Sequence, residues 1–312
     1  MHATTSADAL FDTHAHAISD DAGAYPPAAT AKNPDAAPFT AEQLLAGMDA
    51  LDIAHACVVQ RYHYYGTDNS YVLDTCAAHP DRLTPVVVLD AEDPGAPAEL
   101  QRLAAEHRLG GIRLCGPAID SYDTAWLNSP GAMRLWAASA EAGLPVTLII
   151  FEPHASYNLP AIKYIAERFP ETPILIDHLG TLHGFTPDGW RARAQPGYSP
   201  VITAPDYGIT PALRDVGECQ NVRFKFTGIN VDCLVADGVD PATFLRRFAD
   251  EFGVERIVLG SDVGQTRGPY SRLAAGLRDA LRLCSPAERE RLLRTNAAQL
   301  YGSSAAETGV GR

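Results

Sequence analysis

The chain has 312 residues, of which 46% are hydrophobic and 20% charged, so it is long enough to bury one large core or two modest ones. Its formal net charge of −13 argues against nucleic acid or an anionic membrane as the main partner, because both require a basic surface. The sequence contains neither an apolar run of membrane-spanning length nor a signal-peptide pattern, so we expect a cytoplasmic protein.

The first predicted strand ends in a His-x-His pair, His14 and His16. Because residues i and i+2 of a strand point to the same side, the two imidazoles are expected to converge just beyond the strand's end. Residues 18–39 follow and are rich in Ala, Pro and Asp. A loop of this length favours a rim or lid over a plain connection. Thr40 is then expected to cap the first helix.

Seven further apolar segments follow, each but the last succeeded by a helix or by a loop and then a helix. In chain order they are Ile53–Gln60, Leu83–Asp90, Gly110–Leu114, Pro145–Phe151, Ile174–His178, Val222–Thr227 and Arg256–Asp262. Continuous Val, Ile and Leu strands between amphipathic helices are typical of a parallel sheet covered by helices. Eight such units, with no Gly-rich phosphate loop after the first strand, favour the α/β class and a (β/α)₈ TIM barrel over a doubly wound open sheet.

This pattern predicts a single domain over residues 1–312, with the core at about 10–302 and loose tails at 1–9 and 303–312. Long loops are expected after strands 1 and 6, because the Pro- and Gly-rich segment 181–209 interrupts the alternation there.

In such a barrel the carboxyl ends of the strands form one mouth, where active residues lie. The chemically useful side chains at those positions are His14, His16, Gln60, Arg61, His63, Arg113, His178, Lys225 and Asp262. Closure of the barrel would bring the last strand beside the first, and with it Asp262 beside the His-x-His pair. Imidazole nitrogens are good ligands for Zn²⁺ or Mn²⁺, and a carboxylate at the opposite wall can take a proton from water. His14, His16, His178 and Asp262 are candidate ligands for one such ion, and the residues alone leave open whether a metal is bound.

Seven segments, in order along the chain, carry a family resemblance. They are DTHAH (12–16), VVQRYHYYGTDNSY (58–71), LGGIRLCG (109–116), ILIDHLG (174–180), NVRFKFTGIN (221–230), RIVLGSDVG (256–264) and NAAQLYG (296–302). This set resembles the amidohydrolase superfamily, and more narrowly its amidohydrolase-related (amidohydrolase 2) branch of sugar-lactone and 2-pyrone-4,6-dicarboxylate lactone hydrolases. The resemblance implies a barrel enzyme that opens a lactone or related cyclic ester, with Asp262 and His178 as catalytic residues and Asp262 as the general base. Some members of that branch hold one divalent metal and others hydrolyse lactones without any, so both routes stay open.

The resemblance also implies how the substrate is held. Arg113 lies where relatives of this type bind a substrate carboxylate, and a guanidinium suits that anion. Arg61, His63 and Lys225 are further candidates for the pocket lining. The expected partner is therefore a small carboxylated or hydroxylated molecule, and a homo-oligomer is left open. Relatives usually follow the strand-8 Gly-Ser-Asp with Trp-Pro, whereas this chain has Val263-Gly264-Gln265, which changes the wall behind Asp262.

Other functions remain as alternatives. A metal-dependent, non-oxidative decarboxylase is disfavoured because such relatives tend to place a histidine at the end of strand 5, where this chain has Ile149-Ile150-Phe151. The same apolar ending argues against a two-metal site. A cyclase or isomerase is allowed by the changed wall after Asp262. A non-enzymatic binding barrel is disfavoured because all four expected site residues are present.

Overall fold

Eight parallel strands in chain order form one sheet in the computed structural model, which describes residues 9–114, 122–150, 154–180 and 202–302. The strands are β1 (Leu10–Ala15), β2 (Ile53–Val59), β3 (Leu83–Leu89), β4 (Gly111–Leu114), β5 (Val146–Leu148), β6 (Ile174–Ile176), β7 (Val222–Thr227) and β8 (Ile257–Gly260). Each strand pairs in parallel with the next. All eight lie within the apolar segments that the sequence predicts, although β5 and β6 are shorter than expected.

The last strand returns to the first just at the carboxyl ends. The backbone N–H of Asp262 donates to the carbonyl of His14 at 2.7 Å, and the N–H of His16 donates to the carbonyl of Val263 at 2.8 Å. A parallel bridge forms at the same point. The sheet is thus a nearly closed barrel, which confirms the predicted (β/α)₈ TIM barrel.

Asp12, within β1, adds further hydrogen bonds to the contact between β1 and the end of β8. Its fully buried carboxylate accepts hydrogen bonds from the backbone N–H of His14 at 3.0 Å and of Ser261 at 2.8 Å, and from the hydroxyl of Tyr270 at 2.7 Å. Burial raises the pKa of Asp12, while these donors oppose the shift. Asp12 therefore ties β1, the end of β8 and the following helix together, a structural role rather than ligation.

Helices connect the strands and cover the outside of the sheet. Those of at least seven residues are Ala41–Ala50, Ser70–Ala78, Ala96–Glu106, Pro130–Glu141, Ala155–Arg168, Pro211–Gly217, Gly228–Ala236, Pro241–Phe252 and Tyr270–Ala280. Single turns lie at Tyr62–Tyr65 and Ala125–Asn128. The last elements of the described residues are the helix Pro286–Glu290, a π-helical turn at Arg291–Thr295 and the helix Asn296–Tyr301. Thr40 caps the first helix as predicted, in a reciprocal capping box with Gln43. Among the described residues, none of these helices is both long and apolar enough to cross a bilayer.

Apolar side chains close the amino-terminal end of the barrel. A buried cluster inside it contains Phe11, Cys57, Val59, Val86, Leu175 and Val258, together with Ala297 and Tyr301 of the C-terminal helix. Burying these side chains stabilises the closed sheet and excludes water from this end. The buried polar side chains described below lie at the mouth, at the carboxyl ends of the strands.

The loop after β1 packs against the turn that follows β2. Ile18 and Phe39 pair in an antiparallel bridge at its base. Farther out, the N–H of Asn33 donates to the carbonyl of His63 at 3.0 Å, so the loop rests on the turn that follows β2. This placement agrees with the rim expected from its length. Of the second long loop, expected at 181–209, residues 181–201 lie outside the described part of the chain.

The pH dependence of stability can test how His55 on β2 is buried. Its Nε2 lies 2.7 Å from the hydroxyl of Thr84, and burial lowers the pKa of His55 to about 4. The unfolded chain takes up a proton near pH 6.5 and the native chain does not, so stability should fall as the pH drops from about 6.5 to about 4. We expect His55 to account for about 1–2 kcal/mol of the loss at pH 5, measured by urea unfolding. His55→Gln should flatten this dependence, and an unchanged slope in that variant would contradict the assignment.

Candidate active site

Three side chains converge at the mouth of the barrel, two from the end of β1 and one from the residues that follow β8. His14 Nε2 lies 3.2 Å from His16 Nε2, and Asp262 Oδ1 lies 3.5 Å from the former and 3.3 Å from the latter. All three side chains are buried. His14 belongs to β1 and His16 follows it directly, so the i, i+2 spacing does aim both rings at one point, as expected.

His178 reaches the same point through a turn rather than on a strand. The sequence predicts a strand to His178, but β6 ends at Ile176 and residues 177–180 form a tight turn. His178 and Leu179 have φ of 53° and 63°, and Asp262 has φ of 59°, in the left-handed region that non-glycine residues seldom adopt. The His178 ring lies 5.1 Å from the His14 ring, between centroids. Strained backbone at these positions is of the kind that clusters at functional sites.

His16 is held in one tautomer. Its Nδ1 lies 2.7 Å from the carbonyl oxygen of Val59. A carbonyl can only accept, so Nδ1 carries the proton and Nε2 carries a lone pair in the neutral ring. Burial, with Arg61 and Arg113 nearby, holds the pKa of His16 well below its usual range. His16 therefore presents an acceptor, not a donor, to the centre of the site.

Asp177 forms the floor beneath His14. Its carboxylate lies 3.4 Å from His14 Nδ1, 3.1 Å from Arg113 Nε and 3.4 Å from Lys225 Nζ, and it is fully buried. Burial alone would raise the pKa of Asp177, but Lys225, His14 and Arg113 together hold it well below the usual range. An ionised carboxylate at Nδ1 favours the proton on that nitrogen, so the Nε2 of His14 also carries a lone pair.

The imidazoles of the site are neutral at physiological pH. Burial lowers the pKa of His14 and of His178 to about 4. Two lone pairs and the Oδ1 of Asp262 thus meet within 3.5 Å, and that oxygen has no hydrogen-bond donor among the described residues. Such a cluster of acceptors is repulsive unless a cation lies among them.

The spacing of these three atoms fits a divalent ion. Zinc–nitrogen bonds of about 2.0–2.1 Å in a tetrahedral site place ligand atoms roughly 3.3–3.4 Å apart. The observed separations are 3.2, 3.3 and 3.5 Å. His14, His16 and Asp262 could therefore hold a metal. A second group, His14, Asp177 and His178, also has metal-ligand spacing, but Arg113 and Lys225 already neutralise Asp177.

The remaining predicted residues lie around this centre at different depths. Arg61 is 7% exposed and Arg113 5% exposed, and both stand close enough to His16 to lower its pKa. Lys225 is fully buried with its ammonium on Asp177, below the mouth. His63 is half-buried on the turn after β2, where its carbonyl supports the rim loop. Gln60 is buried and donates to the carbonyls of Gly66 and Asp68, so it braces that same turn.

Sequence reasoning missed four residues that position the site. Asp177 holds His14, Thr266 donates its hydroxyl to Asp262 Oδ2 at 2.5 Å, and Thr227 with Asn230 contacts His178. Asp177 had a signal, since it directly precedes His178. Thr227 ends β7, Asn230 lies in the helix after it and Thr266 lies in the loop after β8, and their approach to the site depends on tertiary structure.

Known proteins resemble this chain in sequence and in fold. The chain is 26% identical over 214 residues to the L-fucono-1,5-lactonase of Burkholderia ambifaria, an alignment that covers 68% of this chain and 64% of that protein. Its fold is similar to a protein of Acinetobacter baumannii named a probable 2-pyrone-4,6-dicarboxylic acid hydrolase, solved with citric acid bound (TM-score 0.68, 19% identity, 94% of this chain and 99% of that one). It is also similar to a zinc-bound amidohydrolase of Burkholderia multivorans (TM-score 0.65, 22% identity, 94% and 99% coverage).

The family assignment rests on nearly the whole chain. The sequence profile of the family described as amidohydrolase matches residues 11–303, from the first strand to the end of the C-terminal helix. That span includes every residue of the cluster at the mouth, and the resemblance found in the sequence is confirmed. The chain belongs to the amidohydrolase family.

Proposed function

We propose that this protein hydrolyses a lactone or related cyclic ester of a small, carboxylated or hydroxylated substrate. The observation that carries the proposal is the buried Asp262 carboxylate, 3.3 and 3.5 Å from two imidazole nitrogens that carry lone pairs. The similarity to L-fucono-1,5-lactonase supports this reaction class. The fold does not separate the reaction classes, because proteins named for pyrone-dicarboxylate hydrolysis and for decarboxylation share it.

Asp262 acts as the general base of the reaction. The hydroxyl of Thr266 orients the carboxylate by donating to Oδ2 at 2.5 Å. The carboxylate takes a proton from water as the water oxygen bonds to the lactone carbonyl carbon. When the ring C–O bond then breaks, the proton held on Asp262 passes to the leaving ring oxygen, so the product is the hydroxy acid. The positive φ of Asp262 aims its side chain into the mouth for this role.

His14, His16 and Asp262 are the residues that would hold one divalent ion, zinc or manganese, with His178 beside them. When bound, such an ion supplies Lewis-acid polarisation of the lactone carbonyl. The alternative without metal needs imidazole N–H groups that donate to that carbonyl. The tautomer of His16 has its proton on Nδ1, which donates it to the carbonyl of Val59 and not to a substrate, and this supports the metal-dependent form.

A ring-opening assay tests the proposal directly. Purified protein is incubated with 1,5- and 1,4-sugar lactones, L-fucono-1,5-lactone and 2-pyrone-4,6-dicarboxylate, and acid release is followed with a pH indicator. The metal content of the same sample is measured by elemental analysis. We expect turnover of at least one lactone and about one equivalent of zinc or manganese. Release of CO₂ from an aromatic-acid panel without lactone turnover would instead identify a decarboxylase, and binding without turnover a binding barrel.

Arg61 and Arg113 are proposed to bind a carboxylate of the substrate. Arg61 follows β2, is 7% exposed, and its Nε has no hydrogen-bond partner among the described residues. Burial lowers the pKa of Arg61 to about 10, while Asp262 opposes this, so the guanidinium remains charged. A buried cation of this kind offers a strong, charge-assisted bond to an anion. Lys225 serves in this proposal as the counter-ion of Asp177, and His63 as part of the rim.

We expect Arg61→Met to raise KM for a carboxylated lactone about 10- to 100-fold with a smaller effect on kcat. The KM for an uncharged sugar lactone should change little, because it makes no ion pair with the guanidinium. The matched control is Arg291→Met, which removes an exposed arginine near the C-terminus. Equal losses on both lactones would show that Arg61 supports the structure of the site rather than binding the anion.

A further inference from the structure

The amide of Asn230 bridges the two segments that hold His178. Asn230 lies in the first turn of the helix Gly228–Ala236, directly after β7, and is fully buried. Its Nδ2 donates to the backbone carbonyl of His178 at 2.9 Å. Its Oδ1 accepts from the backbone N–H of Thr227 at 2.8 Å and lies 2.9 Å from the hydroxyl of Thr227. That hydroxyl oxygen lies 2.7 Å from His178 Nδ1.

Two backbone groups determine the direction of every hydrogen bond in this network. The carbonyl of His178 can only accept, so the nitrogen of the Asn230 amide must face it. The N–H of Thr227 can only donate, so the oxygen of the same amide faces Thr227. The Thr227 hydroxyl, beside an amide oxygen that can only accept, gives its proton to that oxygen. It then offers His178 Nδ1 only a lone pair.

We propose that Asn230, through the hydroxyl of Thr227, is a positioning residue that holds His178 in the tautomer with the proton on Nδ1 and the lone pair on Nε2. This inference deepens the proposed function and rests on it for its catalytic consequence. His178 then presents to the mouth an acceptor for a cation or a proton, like His16. The neutral ring cannot donate a hydrogen bond from Nε2 to a substrate oxygen.

The same amide also stabilises the strained turn. His178 and Leu179 both have left-handed φ, and conformations of this kind persist only where neighbouring groups over-determine them. The bond from Asn230 Nδ2 to the His178 carbonyl joins that turn to the helix that follows β7. Thr227 and Asn230 also form the capping box of the helix, which by itself predicts lost stability but no tautomer change when it is removed.

Tautomer measurement separates these roles. Long-range ¹H–¹⁵N spectra of full-length, metal-free protein report which imidazole nitrogen is protonated, and a His178→Gln variant assigns the His178 signals. We expect Nδ1–H in the wild type and in Thr227→Ser, which keeps the hydroxyl. Thr227→Val, which has nearly the same shape, should shift His178 to Nε2–H. Wild-type protein with Nε2–H, or a Thr227→Val spectrum identical to wild type, would overturn the proposal.

A second variant keeps the test valid if valine disturbs the turn. Asn230→Asp keeps an acceptor for Thr227 but loses the donor to the His178 carbonyl, so it should lower the melting temperature while His178 remains Nδ1–H. The affinity for Zn²⁺ alone, measured by calorimetry, should fall about 10- to 100-fold in Thr227→Val and be restored in Thr227→Ser. If the tautomer shifts as expected but no lactone is hydrolysed by any form, the proposed function fails and this inference stands.

Discussion

Asp262→Asn is expected to reduce kcat for lactone ring opening about 10²- to 10⁴-fold, the usual contribution of a general base. Asparagine has the same shape and can still accept the hydroxyl of Thr266, which Asp262 binds at 2.5 Å, so the fold should be retained. It has no carboxylate to take a proton from water. The measurement is steady-state ring opening, with circular dichroism to confirm that the variant is folded.

Asp279→Asn is the matched control for this prediction. Asp279 carries an exposed carboxylate that pairs with Arg282 on the outer helices. Its neutralisation removes the same charge from the chain without touching the mouth, so the rate should be unchanged. If Asp262→Asn keeps nearly the rate of this control, Asp262 is not the base and the proposed mechanism is wrong.

The second large effect is expected on stability. Asp177→Asn should lower the free energy of unfolding by about 3–5 kcal/mol, because it leaves the buried cations of Arg113 and Lys225 without their counter-charge. Because the folded-state pKa of Asp177 is held well below its usual range, this stabilisation is present above about pH 4 and is lost as the pH falls toward that folded pKa. Urea unfolding at pH 7 measures the loss.

Two further variants check the cause. Adding Lys225→Met to Asp177→Asn removes one of the stranded cations and should recover part of the lost stability, whereas unrelated sites would simply add. Asp49→Asn breaks an exposed ion pair with Arg82 and should leave the free energy of unfolding nearly unchanged. A loss in Asp177→Asn no greater than in Asp49→Asn would show that the cations find other partners.

Much of the site could be predicted because it depends on local periodicity and chain order. Side chains alternate between the two faces of a strand, so His14 and His16 point to the same side because they are two residues apart. Eight apolar segments between helices predict a barrel, and closure then places Asp262 beside β1. The hydrogen bond from the N–H of Asp262 to the carbonyl of His14 joins the last strand to the first at the residues where contact was expected.

Strand 6 shows where such reasoning stops. A regular strand through His178 is the simplest interpretation of ILIDH, but the strand ends at Ile176 and the chain turns through two left-handed residues. The side chain of Leu179 does not favour that conformation locally. It is maintained by Asn230, which lies 52 residues farther along the chain and donates to the His178 carbonyl.

The sequence by itself determined the barrel and the position of its mouth, because the periodicity of the strands and their alternation with helices follow the order of the chain. The family resemblance added which four residues at that mouth are expected to do the chemistry. Only the tertiary structure decided how those residues are charged and oriented. The tautomers of His16 and His178 depend on partners at Val59 and Thr227, and the charge beneath His14 depends on Asp177, Arg113 and Lys225. Hydrogen-bond direction and burial are set by groups distant in sequence, so they follow from how the strands pack and not from any one segment.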